Sequence, residues 1–309
     1  MLSRIAESLF WIGRYVERAD VTARILDVHL QLLLEDPWVE EDTACRSLLA
    51  IMGMPAPSDG GPVTRQSVLS ALAYDRRSPG SIAGALVAAR ENARRARETI
   101  STEMWECLNT TWNTLPSMMH GVPAHDYFGW VRERAAIVAG ITDSATSRDL
   151  TWTFLVLGRS IERADMTARL VASRAVAGAG GPSWATLLRS CGAYEAFLRT
   201  YRGRVADSQA AQFLLLDRLF PRSVVHAMER AEQCLADLSP RPSDGSVRED
   251  ATRMLGRART GLEYRPLAEL LGNLPAEMET IQLACSRASD AIRQRYFLGE
   301  PPDWSGGTL

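Results

Sequence analysis

The 309-residue sequence contains no lysine, so all 35 of its basic side chains are arginines. This absence excludes a Schiff-base lysine and a phosphate-loop lysine, and it leaves planar guanidinium groups that suit bidentate contacts with carboxylates or phosphates. The 37 acidic residues nearly balance the arginines and leave a formal net charge of -2. Because no global field draws such a chain to nucleic acid or anionic lipid, we expect neither as a partner.

Signals of secretion and of membrane insertion are also missing. The 5 cysteines are widely spaced and form no CxxC pair, which predicts buried thiols in a reducing compartment. No run of eighteen apolar residues occurs, and Arg4, Glu7 and Arg14 interrupt the N-terminus where a signal peptide would be apolar. We therefore expect a cytoplasmic protein without a membrane span.

No established catalytic motif is present. The sequence has no GxSxG, HExxH, phosphate-loop or dinucleotide-binding pattern. Among the 4 histidines, only His226 lies at helical ligand spacing from a carboxylate, that of Glu229, whereas a di-iron bundle needs paired Glu-x-x-His units. We expect no metal, no cofactor and no catalysis by the isolated chain.

Apolar residues recur in steps of three and four along most of the chain, which predicts an all-α helical bundle. The pattern from Ile5 to Leu33 predicts a long helix that buries one narrow seam and ends before Pro37. Other helices are predicted from Ser81 toward Leu108 and over 124–144, 150–175, 184–202, 223–238 and 277–297. We expect a single domain over 1–298, with a loop at 239–245 and a flexible tail at 299–309.

Two segments of the sequence repeat. LFWIGRYVERADVTAR, which starts at Leu9, shares nine identical positions with FLVLGRSIERADMTAR, which starts 145 residues later at Phe154. DRRSPGSI from Asp75 matches DRLFPRSV from Asp217 at an offset of 142. Matches in the same order and at nearly the same offset predict a tandem duplication, with halves of about 1–148 and 149–298 related by a pseudo-two-fold axis.

The first repeated segment concentrates charged residues beside the apolar seam. Helical spacings of three, four and seven bring its carboxylates and guanidiniums onto one face. We expect them to pair between the copies across a buried contact, Glu17 with Arg163 and Glu162 with Arg18. The alternatives are a site that holds an anion on the arginines and a metal or amine on the carboxylates, or a solvated face. The residues concerned are Arg14, Glu17, Arg18, Asp20, Arg24, Arg159, Glu162, Arg163, Asp165 and Arg169.

A second charged cluster follows Ser81. Arg90, Arg94 and Arg97 form a row at helical spacing that could hold a carboxylate or phosphate, although the neighbouring Glu91 also fits an ordinary salt-bridged helix surface. Continuing the apolar steps past Ile100 places a carboxylate, that of Glu103, on the buried stripe beside Trp105. A buried carboxylate needs a partner, so we expect Glu103 to be paired or functional.

Four segments resemble the bacterial alpha-E family, an all-helical domain named for its Glu-Arg motif. They are LFWIGRYVERADVTAR, AARENARRARETISTEMWECLN, RSCGAYEAF and FLLLDRLFPRSV, and the resemblance covers nearly the whole chain. It maps the motif onto Glu17-Arg18 and Glu162-Arg163. The family's other motif positions fall on Arg90, Glu91, Asn92, Arg94, Glu103 and Trp105.

The resemblance also implies partners. Members of the family are associated with, and sometimes fused to, a circularly permuted ATP-grasp amide-ligase-like protein, and are associated with a transglutaminase-like peptidase. We therefore expect a non-catalytic helical binding module that works with the ATP-grasp partner in peptide formation or modification. The alternatives are an enzyme of such a pathway that uses its Glu and Arg clusters for acid-base chemistry on a carboxylate substrate, and a purely structural dimerisation module.

Overall fold

The computed structural model describes residues 1–35, 40–55, 60–176, 182–203, 205–238 and 250–298. Over these ranges the chain forms fourteen α-helices and two short π-helical turns, with no strand, so the predicted all-α class is confirmed. None of the described helices combines the length and hydropathy needed to cross a membrane. The predicted loop at 239–245 and the predicted tail at 299–309 lie outside the described residues.

The helices follow one another with short connections. The N-terminal part contains α1 (Ser3–Glu35), α2 (Glu41–Ile51), α3 (Arg65–Val68), α4 (Ile82–Arg95), α5 (Thr102–Gly121) and α6 (Ala124–Ala145). The C-terminal part contains α7 (Leu150–Val176), α8 (Trp184–Ser190), α9 (Tyr194–Tyr201), α10 (Asp207–Leu216), α11 (Val224–Leu238), α12 (Ala251–Glu263), α13 (Leu267–Gly272) and α14 (Leu274–Ile292). The π-helical turns Leu69–Tyr74 and Arg293–Phe297 extend α3 and α14.

Two predicted helices are interrupted in the structure. The pattern that starts at Ser81 stops at Arg95, and a new helix starts where the hydroxyl of Ser101 accepts a hydrogen bond from the backbone N–H of Met104 at 3.1 Å. The predicted helix over 184–202 breaks at Gly192, which has a φ of 62°. Because α5 restarts after a turn, it packs back on α4 and does not continue its apolar stripe.

The two longest helices, α1 and α7, lie at the centre of one continuous hydrophobic core. α1 packs against α4, α6, α7 and α8, while α7 packs against α1, α2, α11 and α14. Having neighbours on several sides, α1 also buries charged residues such as Arg14, Glu17 and Asp20. The prediction that α1 buries only one narrow seam is therefore wrong.

The backbones of α1 and α7 touch at two glycines. A Cβ atom at Gly13 would lie 2.1 Å from the carbonyl oxygen of Leu155, and one at Gly158 would lie 2.0 Å from the carbonyl oxygen of Phe10. Such distances are far inside van der Waals contact, so neither position can carry a side chain at this separation. The two helices can cross this closely only because both repeated segments have glycine at the crossing.

We predict that Gly13→Ala and Gly158→Ala each lower the free energy of unfolding by at least about 2 kcal/mol, because the helices must separate to admit a methyl group. Gly140→Ala is the matched control, since Gly140 is an exposed glycine of α6 with nothing within 4 Å of the added carbon. That control should be neutral or stabilising by up to about 1 kcal/mol. Urea unfolding of the three variants tests this, and equal effects at all three positions would contradict it.

Candidate functional site

The carboxylate of Glu162 lies at the α1–α7 contact between two arginines of α1. Arg14 Nε donates to Glu162 Oε2 at 2.6 Å, and Arg18 donates through Nε at 2.6 Å to Oε1 and through its terminal nitrogen at 3.0 Å to Oε2. Arg14 also donates to the hydroxyl of Ser289, and Arg18 to the carbonyl of Pro79. The side chain of Glu162 is only 1% exposed, so both carboxylate oxygens are buried and satisfied.

The carboxylate of Glu17 occupies the reciprocal position, facing α7. Arg163 Nε lies 2.8 Å from Glu17 Oε1 as an ion pair, although its direction is off the line of a hydrogen bond. Arg222, from the turn before α11, donates to Glu17 Oε1 at 3.2 Å and also to Asp20. The structure therefore brings together Glu17 with Arg163 and Glu162 with Arg18, the two pairs named from the sequence.

Burial and charge act in opposite directions on the pKa values of these two carboxyls. Burial alone would raise the pKa of Glu162, but the charges of Arg18 and Arg14, together with their hydrogen bonds, outweigh it and lower the pKa to about 2. Arg163 and Arg222 likewise hold the pKa of Glu17 below its usual value against the effect of burial. Both glutamates therefore stay ionised at neutral pH.

The remaining charged residues of the repeated segments pair nearby. Arg24 Nε lies 3.1 Å from both oxygens of Asp20, and Arg169 Nε lies 2.8 Å from Asp165 Oδ2, each one helical turn away. Burial raises the pKa of Asp165, although Arg169 opposes this. Arg159 departs from the pattern of its counterpart Arg14, because it donates to Asp143 at 2.9 Å and 3.1 Å.

Two cavities open beside the α1–α7 contact. The first, which we call the α6 cavity, has a volume of about 280 Å³ and lies between α1, α6 and α7, with Glu17, Asp20 and Arg163 in its wall. The second, which we call the α14 cavity, has a volume of about 320 Å³ and is lined by residues of α1, α7 and α14, including Arg14 and Asp165. Each cavity is therefore lined by charged residues of both repeated segments.

The predicted arginine row converges only in part, since Arg90 and Arg97 both lie over the ring of Trp105 whereas Arg94 pairs with Glu91. Arg90 donates to the side-chain oxygen of Asn109 at 3.2 Å, and its guanidinium lies 4.8 Å from the ring centroid of Trp112 and 5.3 Å from that of Trp105. Arg94 is exposed and pairs with Glu91 at 2.7 Å. Partner binding at this surface stays a prediction, with Arg94 as its accessible cation.

The second charged cluster also includes Asn92 and Glu103. The side-chain amide of Asn92 donates to the carbonyl of Ala88 at 2.8 Å. Glu103 is exposed, so the expectation that it is buried on the apolar stripe is wrong. The physical reason is the new helix that starts after Ser101: Met104 takes the buried position, and Glu103 falls in the first turn of α5, where the helix dipole favours a carboxylate.

Arg222 is the residue of the site that the sequence analysis missed. It supplies the second cation of Glu17 and the bridge to Asp20. A signal was available, since Arg222 stands opposite Gly80 when the segments DRRSPGSI and DRLFPRSV are aligned. The change from glycine to arginine at this position of the repeated turn adds a cation beside Glu17 that has no counterpart beside Glu162.

Two long helices that cross at glycines and exchange Glu-Arg pairs define an all-helical domain with its motif at the centre of the fold. The sequence matches the Alpha-E family, described as a predicted alpha-helical domain with a conserved ER motif, over residues 1–297. The chain therefore belongs to the Alpha-E family.

Similar proteins occur in mycobacteria. Uncharacterised proteins of Mycobacterium tuberculosis and Mycobacterium bovis are 26% identical to this chain over 295 residues, which cover 86% of the chain and 33% of each relative. The chain thus spans about a third of the length of the curated relatives that it matches. No solved structure matches the chain.

We predict that Glu162→Gln and Glu17→Gln each lower the free energy of unfolding by about 3–5 kcal/mol, because each removes the buried negative charge that two largely buried guanidiniums share. The control is Glu91→Gln, which removes a carboxylate from the exposed pair with Arg94 and should change stability by less than about 0.5 kcal/mol. Urea unfolding at neutral pH measures all three. Unchanged stability of the Glu17 and Glu162 variants would show that their carboxylates serve an open binding site and do not hold the fold.

Proposed function

We propose that the chain is a duplicated, non-catalytic helical binding module that works with a circularly permuted ATP-grasp amide-ligase-like protein in peptide formation or modification. The observation that carries the proposal is the complete internal pairing of Glu17 and Glu162. In this account the Glu-Arg motif holds the two central helices together and leaves the outer surface for a partner. A transglutaminase-like peptidase is a further candidate partner.

Reciprocal contacts support the duplication. Gly13 meets the backbone of Leu155 while Gly158 meets that of Phe10, and each partner is the other's counterpart at the 145-residue offset. The hydroxyl of Ser81 donates to the carbonyl of Asp75 and caps α4, and Ser223 donates to that of Asp217 and caps the first turn of α11.

The ends of α2 and α8 repeat as well. α2 packs on α7 and α8 packs on α1, so each short helix contacts the central helix of the opposite half. Each ends in a glycine of positive φ, Gly53 or Gly192, and the three backbone hydrogen bonds that close these turns recur at an offset of 139. Three matched segments with matched contacts favour two copies of one unit over chance similarity.

The protonation state of the motif favours a module without catalysis. A general acid or base works best when its pKa lies near the working pH. The pKa of Glu162 is about 2 and that of Glu17 is also lowered, and both carboxylates are already bound by arginines. The alternative, an enzyme that uses these glutamates for acid-base chemistry, would need them free and protonatable.

The mycobacterial relatives support a role in a larger assembly. The matched region takes up 33% of each relative, so there it is joined to other parts of a longer chain. A module that is covalently attached to other sequence in its relatives is expected to work together with those other parts. This agrees with the association that the family resemblance implies.

The proposal predicts that the isolated chain does not hydrolyse ATP in the presence of amino acids or glutamate-rich peptides. When it is mixed with the ATP-grasp-like protein from the same genome, the two should elute as one complex by gel filtration with light scattering. ATP turnover by the isolated chain would overturn the non-catalytic assignment. Separate elution of the two proteins would show that the ATP-grasp-like protein is not the partner.

A pair of exposed arginines tests where that partner binds. We expect Arg94→Gln to weaken the complex without changing stability by more than about 0.5 kcal/mol, because Arg94 is an exposed cation of α4. Arg77→Gln is the control, since Arg77 is 97% exposed and lies in the turn before α4. Equal complex formation by both variants would show that this surface does not bind the partner.

A further inference from the structure

The lining of the α6 cavity combines apolar and charged residues. Aliphatic side chains from all three helices belong to it: Ile12, Val16, Ala135, Val138 and Leu155. Its charged lining consists of arginines together with Glu17 and Asp20. A cleft that is mostly apolar and has a few convergent polar groups is the usual form of a small-molecule site, and its volume of about 280 Å³ suits a small ligand.

The charged lining of the α6 cavity, counted together with its ion-pair partners, carries an excess of one positive charge. Five arginines line the cavity, and four carboxylates pair with them, so one cation is left without a counterion. The arginines are Arg24, Arg132, Arg159, Arg163 and Arg222, and the carboxylates are Glu17, Asp20, Asp27 and Asp143. A bound monoanion would bring the net charge of these nine side chains to zero, whereas a dianion would leave a net negative charge in a partly buried space.

Two of these arginines, Arg163 and Arg132, have N–H groups that do not bond a carboxylate of any described residue. Within the described part of the chain, the ionic partner of Arg163 is Glu17, which it meets through Nε, so its terminal nitrogens are available. Arg132 meets Asp27 through one terminal nitrogen at 3.3 Å. Both residues line the cavity, and the planar guanidinium group with its paired N–H donors matches a carboxylate.

We propose that the α6 cavity binds a small aliphatic monocarboxylate. Its carboxylate accepts hydrogen bonds from Arg163 and Arg132, and its hydrocarbon chain packs against Val138 and Leu155. The α14 cavity lacks the excess charge, because its lining holds three arginines, Arg14, Arg169 and Arg293, and three acids, Glu7, Asp165 and Asp290. This site goes beyond the proposed function, since it requires no partner protein and no catalysis.

Isothermal titration calorimetry of the full chain tests the ligand class with defined probes. Hexanoate and butyrate should bind with a Kd below about 1 mM, and hexanoate more tightly because it buries more apolar surface. Butanol lacks the charge, butylammonium reverses it, and inorganic phosphate lacks the apolar chain, so all three should bind at least tenfold more weakly than butyrate. Equal binding of phosphate, or no saturable binding of hexanoate, would overturn the proposal.

Variants of α6 test the location without disturbing the pairs of Glu17 and Glu162. Ala139→Leu should fill the cavity and weaken hexanoate binding by more than tenfold, while Ala145→Leu, an exposed change at the end of the same helix, should leave it unchanged. Arg132→Gln should weaken binding about tenfold through loss of a charged hydrogen bond. Thermal melts confirm that each variant is folded. Wild-type affinity in folded Ala139→Leu would contradict the assigned cavity, whatever the result with the ATP-grasp-like partner.

Discussion

Two ionised carboxylates in the core place the strongest constraint on this fold. Removing a carboxylate from water costs several kcal/mol unless opposite charges and hydrogen-bond donors replace the water. Glu162 is matched by Arg14 and Arg18, and Glu17 by Arg163 and Arg222. Since each glutamate depends on arginines from outside its own helix, neither central helix can bury its charges without the other. The pairing thus specifies both the partner and the register of α1 and α7.

Close approach of the backbones makes this pairing possible. Glycine at positions 13 and 158 lets the helices touch one turn from the glutamates, which brings short-range guanidinium contacts within reach. Both cavities adjoin this crossing, since Gly13 and Leu155 line the α6 cavity and Phe10 lines the α14 cavity. Packing at the glycines and charge pairing at the motif are therefore consequences of one crossing geometry.

Much of this arrangement could be predicted from local sequence pattern. The apolar steps along α1, α6, α7 and α11 indicated helices, because such steps depend only on helical periodicity. The repeated Glu-Arg segments indicated which charges would meet. Periodicity could not reveal the break between α4 and α5. The cap is a single serine, Ser101, and the apolar spacing on its two sides is almost unchanged. For that reason the position of Glu103 was predicted wrongly.

Other features depend on contacts that local pattern does not contain. α10 and α12 were not predicted. Arg222 reaches Glu17 from 205 residues away, and nothing in its own turn indicates that destination. The matched ends of α2 and α8 have few identical residues, so their likeness is visible chiefly in the backbone hydrogen bonds and in the two glycines of positive φ. These features are set by contacts between residues that are distant in the sequence.

A double-mutant cycle on Glu17 tests the central claim that the motif acts between the two helices and not within one. Unfolding free energies would be measured for Glu17→Gln, Arg163→Gln, Arg18→Gln and the two doubles that include Glu17→Gln. The structure predicts a coupling energy of at least about 1.5 kcal/mol between Glu17 and Arg163, and a smaller one between Glu17 and its chain neighbour Arg18, which bonds Glu162 instead. Additive effects for Glu17 and Arg163, or stronger coupling to Arg18, would contradict the account.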